Sequence, residues 1–529
     1  MQMKNRIKTL WYLALPLLFG AACVLHPAVA RAQKTSLGID CSQIEQFQLL
    51  KHDNLGSGLA LIECGVVSGG HPEAGGGANP LAPPNIRASN RKCSSNESCT
   101  KSESDVWGST KDNGQTIVVN YNDHNPTYGS YSGTSYSTDG GKTFTEIQPP
   151  PFANGHGTNY GDPIVVFNSK LNEWFAGDLI RGCGPGGGLG IGLWTSTDGK
   201  KWTTGACVHG GEDDRPSFWV DNEPTSGTYG RMYISWNDFV IGGYLSLAYS
   251  DDGSTWSTPI LLESTIFIRN VQVTGTPPGT KRYEGKNSTV FVAGMDEGGG
   301  GNATRQNFMF KSLDGGQTWT FTTLGPRFEP VGDAACASNG YFYQVNPIWR
   351  HMGMGGPAVG PDGVVHYDYA GAGAKNNDHG DIYYVRSTDN GKTWSKPIKL
   401  NTDPDHEYHT QWMPSLSADL NGNVTASWYD RRKATSACNN VTDPGCRYER
   451  VGRQSKDNGA TWGSDITIST AIIPEPAQDD PDVVSCYAGD YDYATALNGN
   501  AYITWTDGRR KVDGVNVQDV DFVQVPEPK

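Results

Sequence analysis

Short apolar runs that end in an acidic residue recur along this chain. Ile117 to Asp123 (Ile-Val-Val-Asn-Tyr-Asn-Asp) is followed by Trp174 to Asp178, Tyr233 to Asp238 and Val290 to Asp296. Val364 to Asp368, Val424 to Asp430 and Tyr502 to Asp507 complete a set of seven. Each run is short, rich in β-branched and aromatic side chains, and bounded by Gly, Pro, Asn or Asp. That pattern predicts strands joined by turns.

A second motif is interleaved with the first. Ser-x-Asp-x-Gly-x-Thr-aromatic occurs at Ser137 to Phe144, Ser312 to Trp319, Ser387 to Trp394 and Ser455 to Trp462. Copies one residue shorter stand at Ser196 to Trp202 and Ser250 to Trp256. The glycine relieves the steric cost of a tight hairpin, and the Ser and Asp side chains can bond to turn backbone. The copies lie 54 to 75 residues apart, room for one four-stranded antiparallel unit each. Repetition at that period predicts a β-propeller. The seven apolar runs give seven blades as first choice; the six turn motifs give six as second. A seventh blade needs an outer strand after Asp519 to Val525, and the segment from Leu59 to Val67 is the expected source.

Four antiparallel strands, A innermost and D outermost, alternate in direction. The A–B turns and the Ser-x-Asp turns therefore share one face. The starts of strands A, the ends of strands B and the B–C loops share the other, where long loops on a rigid ring carry chemistry. Strand-A starts supply Asp105, Tyr160, Asp162, Asp214, Arg215, His351, His409, Gln411, Trp412, Asp490 and Tyr491. Strand-B ends supply His124, Arg181, Arg431, Arg432, Arg509 and Arg510 beside the recurrent acids. An acid repeated in every blade reads as a brace, and Arg431 and Arg509 share that reading. His124, Arg181, Arg215, His409 and Tyr491 break the repeat and are the stronger functional candidates. Arginine forks suit carboxylates, paired carboxyls suit glycosidic cleavage, and aromatic faces suit sugar rings.

The N-terminus changes the setting. Lys4, Arg6 and Lys8 precede an apolar run from Leu10 to Val24 and small-residue sites ending at Ala30 and Ala32, the order of a secretory signal peptide. The expected organisation is a signal over 1–32, an extension over 33–103 and the propeller over 104–529. Ser42 to Lys51 reads as a short helix capped by Ser42, and Ser68 to Pro84 as a Gly/Pro-rich linker. Removing Lys4, Arg6, Lys8 and Arg31 takes the formal charge from −14 to −18, which disfavours nucleic acid or an anionic membrane as partner. Of eleven cysteines, ten lie outside the apolar run at Cys23. An even number in an exported chain suggests disulfides, with Cys93–Cys99, Cys183–Cys207 and Cys438–Cys446 as local pairings. Zinc-ligand and EF-hand spacings are missing from the sequence, so no metal or cofactor is expected.

These motifs resemble the sialidase-type (neuraminidase, BNR-repeat) propeller superfamily, whose Asp boxes match the six turn motifs over roughly Asp105 to Val525. The resemblance implies three arginines around a substrate carboxylate, an Asp as acid/base, and a Tyr paired with Glu as nucleophile. Sialidases themselves have six blades. The family's Phe/Tyr-Arg-Ile-Pro motif is closest to Gln411-Trp412-Met413-Pro414, with Trp412 in place of arginine. Asp214-Arg215-Pro216 keeps an arginine at altered spacing. Trp428-Tyr429-Asp430-Arg431 and Trp505-Thr506-Asp507-Gly508-Arg509 match its later Ala-x-Asp-x-Arg segment.

Three functions follow as expectations. The first is a secreted or periplasmic, monomeric glycoside hydrolase acting on acidic glycans. Arg215, Arg431 and Arg509 would clamp the sugar, with Arg181, His124 and Trp412 as further contacts. Asp162 or Asp214 would serve as acid/base and Tyr491 as nucleophile. The second is a non-catalytic propeller that binds glycan or protein. The third is a polysaccharide lyase using His409 and Tyr491 beside a neutralised uronate.

Overall fold

The computed structural model describes residues 34–67, 69, 85–89 and 100–528, apart from short loop stretches at 126, 148–152, 154, 184–187, 281–284, 333, 337–338, 347–348, 352, 376, 441–442 and 479. The expected signal peptide, most of the Gly/Pro-rich linker and the Cys93–Cys99 pair lie outside the described residues.

Seven four-stranded antiparallel blades form a ring. The innermost strands of blades 1 to 3 are Lys101–Gly108, Ile164–Asn168 and Asp213–Val220. Blade 4 splits its inner strand into Ile268–Arg269 and Val273–Gly275. Blades 5 to 7 begin with Pro357–Val359, Gln411–Ala418 and Ala494–Leu497. Between blades 4 and 5 an insert carries its own small sheet of Ala334–Cys336, Asn339–Asn346 and Trp349–Arg350.

Blade 7 lacks a turn motif and takes its fourth strand from the N-terminal side. Ile86–Arg87 pairs antiparallel with Asp519–Pro526, Ile86 opposite Phe522. The segment expected to do this, Leu59 to Val67, does something else. Leu55–Glu63 is an α-helix, capped by Asn54, whose side chain accepts from the Ser57 N–H at 2.8 Å. Its Leu55, Leu59, Ala60 and Leu61 are buried against the ring. Gly56 is needed there: a Cβ at that position would come within 2.9 Å of the Leu189 side chain. Ser42 to Lys51 is not one helix either but two single 3-10 turns, Cys41–Gln43 and Leu49–Lys51, the first capped by Asp40.

The turn motifs are built as their chemistry requires. In all six, the Ser hydroxyl donates to the Asp two residues on, at 2.7 to 3.2 Å. The Asp in turn accepts backbone N–H groups; those of Thr255 and Ser254 hold the Asp252 carboxyl down to about 2. The aromatic reaches the preceding blade: Phe144 packs on Phe522 at 5.0 Å, and Trp462 on Tyr384 at 5.0 Å. Backbone bonds from Gly140 to Gln115 and from Asn458 to Gly422 tie these turns to the A–B turns of the same face.

Among the described residues four disulfides are formed. Cys183–Cys207 and Cys438–Cys446 are the expected local pairs. Cys41–Cys64 clasps the N-terminal helix, and Cys336–Cys486 ties the insert to the loop before blade 7.

Candidate functional site

The starts of the inner strands share an unusual backbone. Glu103, Asp162, Arg215, Asn270 and Met413 have φ of 38°, 57°, 53°, 60° and 48°, at or just before strand A of blades 1, 2, 3, 4 and 6. Gly353 and Gly489 take positive φ ahead of blades 5 and 7. Register shifts mark β-bulges at three of these places. A non-glycine residue there costs on the order of 1–3 kcal/mol, and bulges re-aim side chains out of the pleat. The strain is spent on one end of the ring axis.

Charged side chains meet there. Arg269 is ion-paired with Asp53 at 2.9 Å and with Glu297 at 2.6 Å, and donates to Asp214 at 3.5 Å. Arg350, from the insert, forks onto Asp490 with its closest contact at 2.8 Å. Arg215 lies 3.6 Å from Asp53 and stacks over the Tyr491 ring at 4.2 Å, while its backbone N–H donates to Asp162 at 2.8 Å. Glu103 accepts from Asn122 and from the Asp490 N–H at 2.9 and 2.8 Å. All of these side chains are buried. The lid is the N-terminal segment: the Asp53 N–H and the Asn54 amide both donate to Asp214, at 3.0 and 2.7 Å.

Environment drives the carboxyls apart. Burial opposes ionisation of Asp53, but the guanidinium groups of Arg269, Arg215 and Arg350 overcome it and hold the acid at about 2. Burial pushes Glu103, Asp162 and Asp214 well above the usual range. The charge of Asp490 adds to the shift of Glu103, that of Glu103 to the shift of Asp162, and that of Asp53 to the shift of Asp214. One carboxylate held among three arginines beside several protonated carboxyls is an acid–base arrangement.

Five of the sequence candidates, Asp162, Asp214, Arg215, Asp490 and Tyr491, come together here. The others do not. Trp412 is fully buried in an aromatic cluster with Trp349, Tyr429 and Tyr448. Arg431 donates to the carbonyl of Gly445 at 2.8 Å. Arg509 braces Asp507 and Asp521. The true counterpart of Arg509 is Arg432: each donates its own N–H and its guanidinium to the acid two residues earlier, and each acid also accepts from a Trp indole, Trp428 or Trp505. His409 faces Asp403 at 3.7 Å and His406. His124 bonds Asp480 at 2.5 Å and stacks on Tyr131. Arg181 lies beside Tyr160. Asp53, Arg269, Arg350 and Glu103 were not anticipated.

Groups of metal-ligating type also occur, but several carry their own counter-charge. Lys399 sits between Asp381 and Asp405 at 2.6 and 2.7 Å, Arg269 answers Asp53 and Asp214, and Cys183 and Cys207 beside His156 are joined as a disulfide.

Below the charged centre runs an axial cavity of about 190 Å³. Its inner end is formed by Arg215, His351, Asp490, Tyr491 and Tyr493, and its wall by Trp107, Trp219, Met354 and Met413. It opens between partly exposed Thr110, Pro277, Pro278 and Leu497, at the strand-A ends, on the face of the Ser-x-Asp turns.

No protein-family model and no curated protein matches the sequence. Solved structures similar in fold include a Hadza microbial sialidase, 15% identical over 82% of this chain and 66% of that one, with a TM-score of 0.36. An ulvan lyase is 12% identical over 87% and 95%, with a TM-score of 0.44. An α-L-arabinofuranosidase of Fusarium graminearum is 13% identical over 84% and 98%, with a TM-score of 0.36.

Proposed function

We propose that this chain is an exported, monomeric, glycan-active propeller whose centre acts on sugars carrying a carboxylate. The observation that carries this reading is the convergence of Arg269 and Arg215 on a single carboxylate, that of Asp53, at 2.9 and 3.6 Å, with Arg350 on the neighbouring Asp490. Planar guanidinium forks recognise carboxylates whatever molecule bears them. A substrate acid would take the place of Asp53, once the segment bearing it withdraws. Asp162 and Asp214, kept protonated by burial, are placed to donate a proton to a leaving glycosidic oxygen. Tyr491, its hydroxyl held well above the usual phenol range by burial and its ring under the Arg215 guanidinium, is the nucleophile candidate. The reaction class is hydrolysis. Four disulfides support an oxidising compartment, and among the described residues no helix is long and apolar enough to cross a membrane.

One observation favours a second reading. The arginines are answered within the chain, and Asp53 and Asn54 close the centre. On that reading the network is a structural plug and the propeller binds glycan or protein without turning it over. The lyase reading lacks support, since the contacts of His409 run to Asp403 and His406 rather than to Tyr491.

A screen of the mature chain and of Asp53→Asn against sialosides and uronate polymers separates these readings, with reducing-end release and unsaturated-uronate absorbance read together. Reducing ends without unsaturation, stronger in Asp53→Asn, are the expected result. Silence from both proteins, with Asp53→Asn folded as judged by circular dichroism, overturns hydrolysis in favour of the plug. Unsaturated products would restore the lyase.

A further inference from the structure

We propose that the inner end of the axial cavity is a binding site for a small monocarboxylate with an apolar body, reached from the face of the Ser-x-Asp turns. This site shares Arg215 and Tyr491 with the proposed glycan centre but is entered from the opposite face, and its test does not depend on that reading.

Unspent hydrogen-bonding capacity marks the place. Arg215 Nε and Nη1 and the hydroxyls of Tyr491 and Tyr493 are buried without hydrogen-bond partners, and all three residues line the cavity. Arg215 is 1% exposed and Tyr491 4%. Tyr491 and Tyr493 stack at 4.6 Å, so the two rings support one another beside the guanidinium that lies over Tyr491. Buried donors left unmade cost on the order of 1–3 kcal/mol each, and a single oxyanion can accept from several of them.

The acidic groups lining the cavity are already answered. Asp490 is forked by Arg350. Asp492 accepts from Ser104 and Tyr429, both at 2.6 Å, with Arg450 at 3.9 Å. Asp105 accepts the Val165 N–H at 2.8 Å, and burial pushes its carboxyl up to about 8, so it carries little charge at neutral pH. His351 is driven down to about 3 by burial, with the charge of Arg215 adding, and stays neutral. Arg215 itself is shared only loosely with Asp53, at 3.6 Å. A negative head is therefore the complement of the inner end. The wall of Trp107, Trp219, Met354 and Met413 calls for an apolar body. A volume of about 190 Å³ accepts a ring or short chain and excludes a polymer.

Benzoate is the probe, with benzamide as its neutral counterpart of the same shape. Calorimetry on the intact disulfide-bonded chain is expected to show saturable benzoate binding and at least tenfold weaker benzamide binding. Tyr493→Phe, which keeps the stacked ring, is expected to weaken benzoate about tenfold at unchanged melting temperature, the loss of one charge-assisted bond. A crystal soaked with 4-bromobenzoate is expected to place bromine among Trp107, Trp219 and Met354. No saturation up to about 10 mM, a range covering the weakest useful affinities, would overturn the site. So would equal affinity for benzamide, indifference to Tyr493→Phe, or bromine elsewhere. A silent glycan screen leaves each of these results standing, and an active one does not supply them.

Discussion

The two faces of the ring are built on opposite plans. On one, six Ser-x-Asp turns repeat the same hydrogen bonds, their acids partly or fully exposed and held below the usual carboxylate range. On the other, each inner strand begins with a different residue at its bulge, and the side chains that converge are buried, charged and mutually dependent. Repetition braces the blades. Departure from repetition concentrates chemistry, because only unlike residues can assemble arginines around one carboxylate. The cost of the second plan is that its members are not independent.

The largest expected effect breaks the irregular face. Arg269→Met leaves Asp53, Glu297 and Asp214 without their shared cation and should cost about 3–5 kcal/mol, the range for orphaning a buried ion-pair partner; urea unfolding measures it. A loss below about 1 kcal/mol would mean the network behaves like a solvent-screened pair.

The next effect is one of pH. Asp105 titrates near 3.8 in an unfolded chain and at about 8 in the fold. Between those values the folded chain holds a proton that the unfolded chain has released, so stability falls as pH rises from about 4 to 8. Asp105→Asn keeps an acceptor for the Val165 N–H and removes this contribution. Its melting temperature should fall less over that interval than that of the parent chain; identical slopes would show that Asp105 is ionised when folded.

The smallest effect belongs to the regular face. Asp389→Ala removes bonds from the Thr393 N–H and hydroxyl and the Lys392 N–H. It should cost about 1–2 kcal/mol, as lost caps do, and leave benzoate affinity untouched. A changed affinity at normal stability would show that the two faces communicate.

The same contrast explains what could be read in advance. Ser387 and Asp389 satisfy their turn within a few residues, so the motif announces its own structure, and seven apolar runs announce seven blades. The centre is assembled from long-range contacts. Arg269 stands where blade 4 breaks its inner strand in two, so the repeat offered no frame for it. Arg350 comes from an insert and Asp53 from the N-terminal stretch, neither of which follows the blade period. The Leu-rich segment near Leu59 satisfies a strand pattern as well as a helical one, and the cap at Asn54 decides between them. Trp412 resembles a sugar platform in sequence, yet three other aromatic rings enclose it. A bridge between Cys336 and Cys486, 150 residues apart, has no local signature.

The two-residue strand Ile86–Arg87 gives the ring a seam. Every other blade is one continuous stretch of chain, whereas blade 7 is held shut by partners 436 positions apart in sequence, Ile86 and Phe522. Loop-closure entropy grows only logarithmically with such distance, but contacts of this span form slowly. The Cys336–Cys486 bridge then acts as a second hoop, holding blade 7 to the far side of the ring while the seam is open. In a reducing environment that hoop is lost, and closure rests on the two-residue edge strand and on the inner-strand contact of Ser104 with Asp492.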